Sequence, residues 1–414
     1  MEALYLWLNT LVNKNKTDFT GWDGIQWLHP YNSSEAQAVR DKLLAENEGR
    51  ELFKGTKPFY KQISKGCTTC GAGNWSCLFI TGKCNAGCFY CPAPQQMDEA
   101  PSSQGLTFNT PLEYANYVRF FNFKGVSFSG GEPLLFFERT LDYLNAVRKT
   151  CHPDIYIWMY TNGILANKEK LQKLADAGLD EIRFDIGATN FSLDKVKLAK
   201  GIISNITIEI PAVPEEKERL IKLLPAMKKA GVTNLNLHQL RLTKHNVKHL
   251  SKRKYTYINA EKPLVLESEL AALEIIKAAQ EVELGMGVNY CAFHYKNRFQ
   301  KAGFRRILAQ TIATPGGDLS ENGYLRVRTH NAISYKTIRF TDVPPTDTTW
   351  NTLPVGDKVY FYKTETVFKA ENLSSINEQD IDNLLLRYPK QVPTDPLLFR
   401  IWQLEYIEKG LREY

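Results

Sequence analysis

No apolar run in the chain approaches the roughly 20 residues that a membrane-spanning helix needs. The opening, Met-Glu-Ala-Leu-Tyr-Leu-Trp-Leu-Asn, has neither a basic start nor a small-residue cleavage site. Both absences predict a cytoplasmic protein with no membrane partner. A large charge excess is missing too: 52 basic less 45 acidic residues gives 52 − 45 = +7 over 414 residues, which permits a nucleic-acid partner without implying one. RNP, KH and zinc-finger patterns are absent, as are internal repeats and low-complexity tracts. With 43% apolar and 23% charged residues, the chain can bury a sizeable core, and its length suggests two or three structural units. Cysteine is scarce outside one stretch: of eight, only Cys151 and Cys291 lie outside residues 67–91.

In a reducing cytosol, thiols at two- and three-residue spacing read as metal ligands rather than disulfides. Their setting is legible. Ser76–Thr81, Gly125–Ser129, Ile155–Tyr160, Glu181–Ile186, Ile206–Val213 and Asn234–Leu240 are predicted strands, each of the first five followed by a helix-like stretch. That order implies a parallel sheet of βα units with its active site at the C-terminal strand ends. A helix is predicted over Ser34–Glu46 and another over Glu267–Ala279, with a strand running from Leu284 to Tyr290. Beyond about residue 310, turns at Pro315-Gly316-Gly317 and Asn322-Gly323 separate alternating runs that read as antiparallel strands. Two helices close the chain, one from the capping box Ser375-Ile376-Asn377-Glu378 and one from Asp395-Pro396. The expected division is residues 1–74 as an N-terminal extension with a CxxC, 75–310 as the barrel, and 311–414 as an α+β domain.

Cys84-Asn85-Ala86-Gly87-Cys88-Phe89-Tyr90-Cys91 follows the first predicted strand directly. Three thiolates at spacings of four and three reach three corners of an iron–sulfur cube and leave one iron open, whereas zinc would want a fourth ligand nearby. At the end of the second strand stands Ser129-Gly130-Gly131-Glu132-Pro133, where two glycines let backbone come close to a ligand and Glu132 offers a carboxylate for an ammonium. The CxxxCxxC loop with Tyr90 before its last cysteine, together with this GGEP, resembles the radical SAM superfamily over roughly residues 75 to 240. The resemblance implies an α/β fold, a partial (βα)6 TIM-like barrel. It also implies a [4Fe-4S] cluster on Cys84, Cys88 and Cys91 that binds S-adenosylmethionine (SAM) and cleaves it to a 5′-deoxyadenosyl radical. By the same resemblance an external electron donor such as flavodoxin or ferredoxin supplies the electron, and Gly130, Gly131 and Glu132 meet the amino group of SAM. Thr161 and Asn162 at the third strand end and Arg183 and Asp185 in the fourth are expected to meet its ribose and carboxylate. Arg183 and Asp185 share a face by strand alternation, which suits either a polar cavity or a buried ion pair. His238 shares a face with Asn234 and Asn236 and reads either as cavity lining or as a hydrogen-bonded core residue.

Five cysteines remain. Cys67-Thr68-Thr69-Cys70 has a chelate spacing, and Cys291 ends a strand three residues before His294. These stretches resemble a group related to the activating enzymes of pyruvate formate-lyase. A second metal site on Cys67, Cys70 and Cys291, with Cys77 or His294 as fourth ligand, is expected as an auxiliary iron–sulfur cluster or a mononuclear iron or zinc. The competing reading is a local zinc turn or no metal, with Cys77 a strand residue and Cys151 packing. One cysteine after residue 151 excludes the two-cluster extension of peptide-modifying members, and the segment before the barrel is too short for a cobalamin-binding unit. A glycyl-radical activase is disfavoured because such enzymes are usually shorter.

A basic run from Arg241 to Lys254, extended by Lys296, Arg298, Lys301, Arg305 and Arg306, suits an anionic substrate or RNA, or simply a solvated face. The leading function is hydrogen abstraction from an unidentified metabolite or peptide. The alternatives are a radical SAM RNA-modifying enzyme and a non-catalytic, metal-stabilised nucleic-acid-binding module.

Overall fold

The computed structural model describes residues 2–29, 32–47, 51–313, 318–371, 378–386 and 392–407. The Pro315-Gly316-Gly317 turn and the first three residues of the Ser375–Glu378 capping box lie outside them.

Seven parallel strands form the heart of the molecule: β1 (Trp75–Thr81), β2 (Gly125–Gly130), β3 (Tyr156–Thr161), β4 (Glu181–Phe184), β5 (Asn205–Pro211), β6 (Asn234–His238) and β7 (Gly287–Cys291). The first six are those read from the sequence. The seventh joins them because helix Leu266–Glu281 provides the crossover that parallel pairing demands. The sheet order is linear, so the barrel is partial; antiparallel strand Lys57–Tyr60 continues it beyond β7, and Ser102–Ser103 beyond β1.

Local sequence explains the alternation. Helix Pro111–Phe120 starts where Thr110 accepts a hydrogen bond from Glu113 N while Glu113 accepts one from Asn109 N, with Pro111 in the first turn. Leu171 and Leu174 of Lys168–Asp176, and Leu220, Leu224 and Met227 of Lys217–Lys229, give those helices the buried stripe that packs on the sheet. Strand residues such as Val126, Phe128, Ile157, Ile182, Ile208 and Leu235 fill the space beneath them.

Several elements were not expected, two of them helices before the barrel. Helix Glu2–Asp18 packs its first turn on the closing helix Pro396–Glu405, where Trp7 meets Phe399. The CxxC lies on a short helix, Lys65–Gly71. The C-terminal part forms a five-stranded antiparallel sheet flanked by Glu378–Leu386 and Pro396–Glu405. Among the described residues no helix is long and apolar enough to cross a membrane.

Candidate active site

A cavity of about 670 Å³ opens at the C-terminal strand ends, within the size range of small-molecule and cofactor sites. Cys84, Cys88 and Cys91 line one wall, on the loop that leaves β1, and all three are partly exposed. The loop is held from several sides. Cys84 N donates to Gln95 O at 3.0 Å, Gln95 Nε2 donates to Cys91 Sγ at 3.0 Å, and Asn162 Nδ2 donates to Asn85 Oδ1 at 2.7 Å beside the Cys84 sulfur. Burial, then the neighbouring Asp185, pushes the Cys88 thiol up to about 12. Metal binding here therefore releases protons.

The GGEP segment works differently from the expectation. Gly130 has φ +118, and a Cβ on it would sit 2.3 Å from Thr81 O; one on Gly131 would sit 2.0 Å from Lys83 O. Gly131 N and Glu132 N donate to those same carbonyls at 2.7 and 2.9 Å. The glycines thus let two backbone segments touch, which places the cysteine loop, while still lining the cavity. Glu132 does not face the cavity. It is 0% exposed, and its carboxylate accepts from Leu134 N (2.9 Å), Thr161 Oγ1 (2.8 Å) and Asn162 N (2.7 Å). Three of the carboxylate's about four acceptor positions are taken, and the group is not part of the cavity wall. Glu132 positions the β3 end, and through it Thr161 and Asn162, which do line the cavity.

The fourth strand also departs from the expectation. Arg183 and Asp185 both reach the cavity but do not pair with each other. Arg183 is 2% exposed, bridges Glu181 (2.9 Å) and Glu209 (2.8 Å), and donates to Ser64 Oγ at 3.0 Å. It is the buried structural ion pair, not a free cation for the carboxylate of SAM. Asp185 accepts from the hydroxyl of Tyr90 at 2.9 Å and from Gly187 N at 3.0 Å, so Tyr90 ties the cysteine loop to β4. Glu209, missed in the sequence, lies on the inward face of β5, a charge in a buried strand that alternation could have flagged. Burial raises its pKa, but Arg183, with Lys296 and the amide of Asn236, outweighs that and holds it below the usual range. His238 lines the cavity, and burial together with Lys296 keeps it neutral, with a pKa near 3.

Burial pushes Asp185 up to about 6. A carboxyl whose folded pKa exceeds its unfolded value binds protons more tightly when folded, so its contribution to stability is lost as pH rises from about 4 to 6. The Asp185→Asn protein should therefore gain on the wild type across that window, by at most about 3 kcal/mol, since cavity water screens a half-buried group. Urea unfolding of both metal-free proteins at pH 4.5 and 7.5 checks this; a pH-independent gap refutes it.

The basic run is only partly a solvated face. Thr243 Oγ1 donates to Pro92 O (3.0 Å), Asn246 Nδ2 donates to Tyr90 O (3.2 Å), and Arg253 lies 3.8 Å over the Phe89 ring. Residues 241–254 thus clasp the cysteine loop. Arg241, Lys296 and Lys301 turn into the cavity.

Cys67, Cys70 and Cys291 line the same cavity, as does Cys77, whose thiol is held by Ser127 and Ser129; His294 is not among the lining residues. Among the described residues no three His, Cys, Asp or Glu side chains gather around a point where one metal ion would sit.

Residues 78–237 match the family model of the Radical SAM superfamily. The chain is 29% identical over 289 residues to a "putative glycyl-radical enzyme activating enzyme" of Methanocaldococcus jannaschii, covering 66% of this chain and 75% of that protein. A GTP 3′,8-cyclase of Staphylococcus aureus is 32% identical over 120 residues, 28% of this chain and about a third (34%) of that protein. Streptococcus suis SuiB, solved bound to S-adenosylmethionine, aligns with TM-score 0.40 and 14% identity over 59% of this chain and 52% of that one; a likeness this distant adds nothing to the assignment. On the sequence match and the fold together, the chain carries a radical SAM domain and is a radical SAM enzyme that uses a [4Fe-4S] cluster and S-adenosylmethionine.

Proposed function

We propose that Cys84, Cys88 and Cys91 hold the SAM-binding cluster and that the cavity beside them receives both SAM and a substrate from which hydrogen is abstracted. The observation that carries this reading is the placement of three partly exposed thiols on the loop after β1, facing a cavity at the C-terminal strand ends. The cluster, when bound, supplies an open iron and the electron for reductive cleavage of SAM.

The protein's own residues orient and enclose. Ser129, Gly130 and Gly131 offer backbone at the wall next to the cysteines, while Thr161 and Asn162 stand at the adjoining strand end. Tyr90, held by Asp185, stiffens the loop between its second and third thiols. Beyond these, Arg241, Lys296 and Lys301 make the remaining wall cationic, which suits a substrate bearing carboxylate or phosphate groups. Leu242, Val247, Leu250 and Tyr257 pack with Phe89 and Tyr90 of the cysteine loop and would limit water around a reactive intermediate.

The RNA-modifying and nucleic-acid-module readings lose part of their support, because Arg241, Lys296 and Lys301 line the cavity and Arg253 lies over the Phe89 ring. The test is anaerobic reconstitution with iron and sulfide, then addition of dithionite and SAM. The expected result is 5′-deoxyadenosine with a reduced-cluster electron paramagnetic resonance signal that changes on SAM addition. A reconstituted, folded protein that leaves SAM intact overturns the reading.

A further inference from the structure

The helix that carries Cys67 and Cys70 is wedged against the inner face of the barrel. Ser64 caps it by accepting from Cys67 N at 3.1 Å. A Cβ on Gly66 would meet Arg183 Nη2 at 2.4 Å and Glu181 Oε2 at 2.9 Å, and one on Gly71 would meet the Tyr295 hydroxyl at 2.3 Å. Only glycine allows so close an approach at both helix ends. The third cysteine, Cys291, ends β7 and is buried.

Facing this trio is Lys57, 1% exposed. Val288 lies opposite Tyr60 and Asn289 opposite Phe59 in the antiparallel pair; continuing that register sets Lys57 across from Cys291, where side chains are about 5 Å apart. Its ammonium lies 4.8 Å over the Tyr295 ring and reaches the cavity. Among the described residues it has no hydrogen bond and no carboxylate within ion-pair distance. A buried cation without an anion is costly, and the potential anions that act on it most strongly among the described residues are Cys291, Cys67 and Cys70, then Glu209. Gln300 Nε2 also donates to Cys70 Sγ at 2.7 Å.

We propose that Cys67, Cys70 and Cys291 hold a second iron–sulfur cluster and that Lys57 is its built-in countercharge. Three thiolates around a cluster leave a net negative charge in a buried pocket, and Lys57 balances it. Net charge, hydrogen bonds to sulfur and exposure set a cluster's potential; Lys57, Gln300 and the burial of Cys67 and Cys291 supply all three.

The second site stands apart from the SAM-binding reading and is tested without it. The C84A/C88A/C91A protein, reconstituted anaerobically, should retain about four iron and four sulfide, and the wild type about eight of each. C67S/C70S in the wild-type background should lower the count to about four. In the C84A/C88A/C91A background, Lys57→Met should leave the iron count unchanged and make reduction about tenfold less favourable, a midpoint more negative by about 59 mV for one electron. A C84A/C88A/C91A protein with wild-type circular dichroism but no iron and sulfide, or a wild type that takes only about four of each, overturns the second cluster. An unmoved midpoint overturns the role of Lys57.

Discussion

Replacing any one of Cys84, Cys88 and Cys91 with Ala is expected to lower 5′-deoxyadenosine formation at least about a thousandfold, or about 4 kcal/mol in the barrier. Three thiolates are the fewest that hold a cube while leaving one iron for SAM, so no member of the trio has a substitute. Cys77 shares the cavity, but it lies within β1, its thiol held by Ser127 and Ser129 of β2, away from the loop. Two neighbours provide graded controls. Gln95→Leu removes the donor to Cys91 Sγ, and Asn162→Leu removes the amide that fixes Asn85 beside Cys84. Each should slow the reaction without abolishing it, because a hydrogen bond to a ligating sulfur shifts the cluster's potential while leaving its ligands in place. Cys151→Ala should be nearly silent, since that thiol lies at a helix end and reaches only Ala115 O at 3.5 Å. The assay is the yield of 5′-deoxyadenosine per reconstituted cluster under dithionite. Wild-type yield from a Cys84→Ala protein would remove the loop from the chemistry.

The parallel sheet was legible in the sequence because its strands are short apolar runs such as Tyr156-Ile157-Trp158-Met159 between amphipathic stretches, a pattern set by burial on both faces. The cysteine loop was legible because its spacing is local. What stayed hidden depended on partners remote in sequence. Glu132 looks like a ligand beside two glycines until Thr161 and Asn162 are seen to surround it. Alternation placed Arg183 on the inward face but could not show that Glu181 and Glu209, not Asp185, would take its charge. Helix Lys65–Gly71 is too short, and too rich in Gly and Thr, to show a helical period. Lys57 carries no local signal; its meaning comes from antiparallel pairing with a strand more than two hundred residues later.

The largest effect on stability is expected at Arg183. Arg183→Met keeps most of the side chain's length but leaves Glu181, which is 0% exposed, and Glu209 without their cation. Breaking such a pair from one side costs about 3–5 kcal/mol, because the surviving charge stays buried. The sign of the pH dependence separates this cause from lost packing. Without Arg183, burial is left to push the Glu209 carboxyl up, so the variant's deficit should shrink as pH falls from 7.5 towards 5. A packing defect would not titrate. Adding Glu209→Gln to Arg183→Met should recover part of the loss at neutral pH, and Arg183→Lys should fall between, since one ammonium cannot span two carboxylates and the hydroxyl of Ser64. That hydroxyl links the ion network to the second site: Ser64 accepts from Arg183 and from Cys67 N at once. Arg183→Met should therefore also loosen the helix bearing Cys67 and Cys70 and lower iron retention in the C84A/C88A/C91A background. Anaerobic urea titrations at both pH values with iron counts on the same samples test the two effects together, and a deficit that stays constant with pH would assign Arg183 to packing alone.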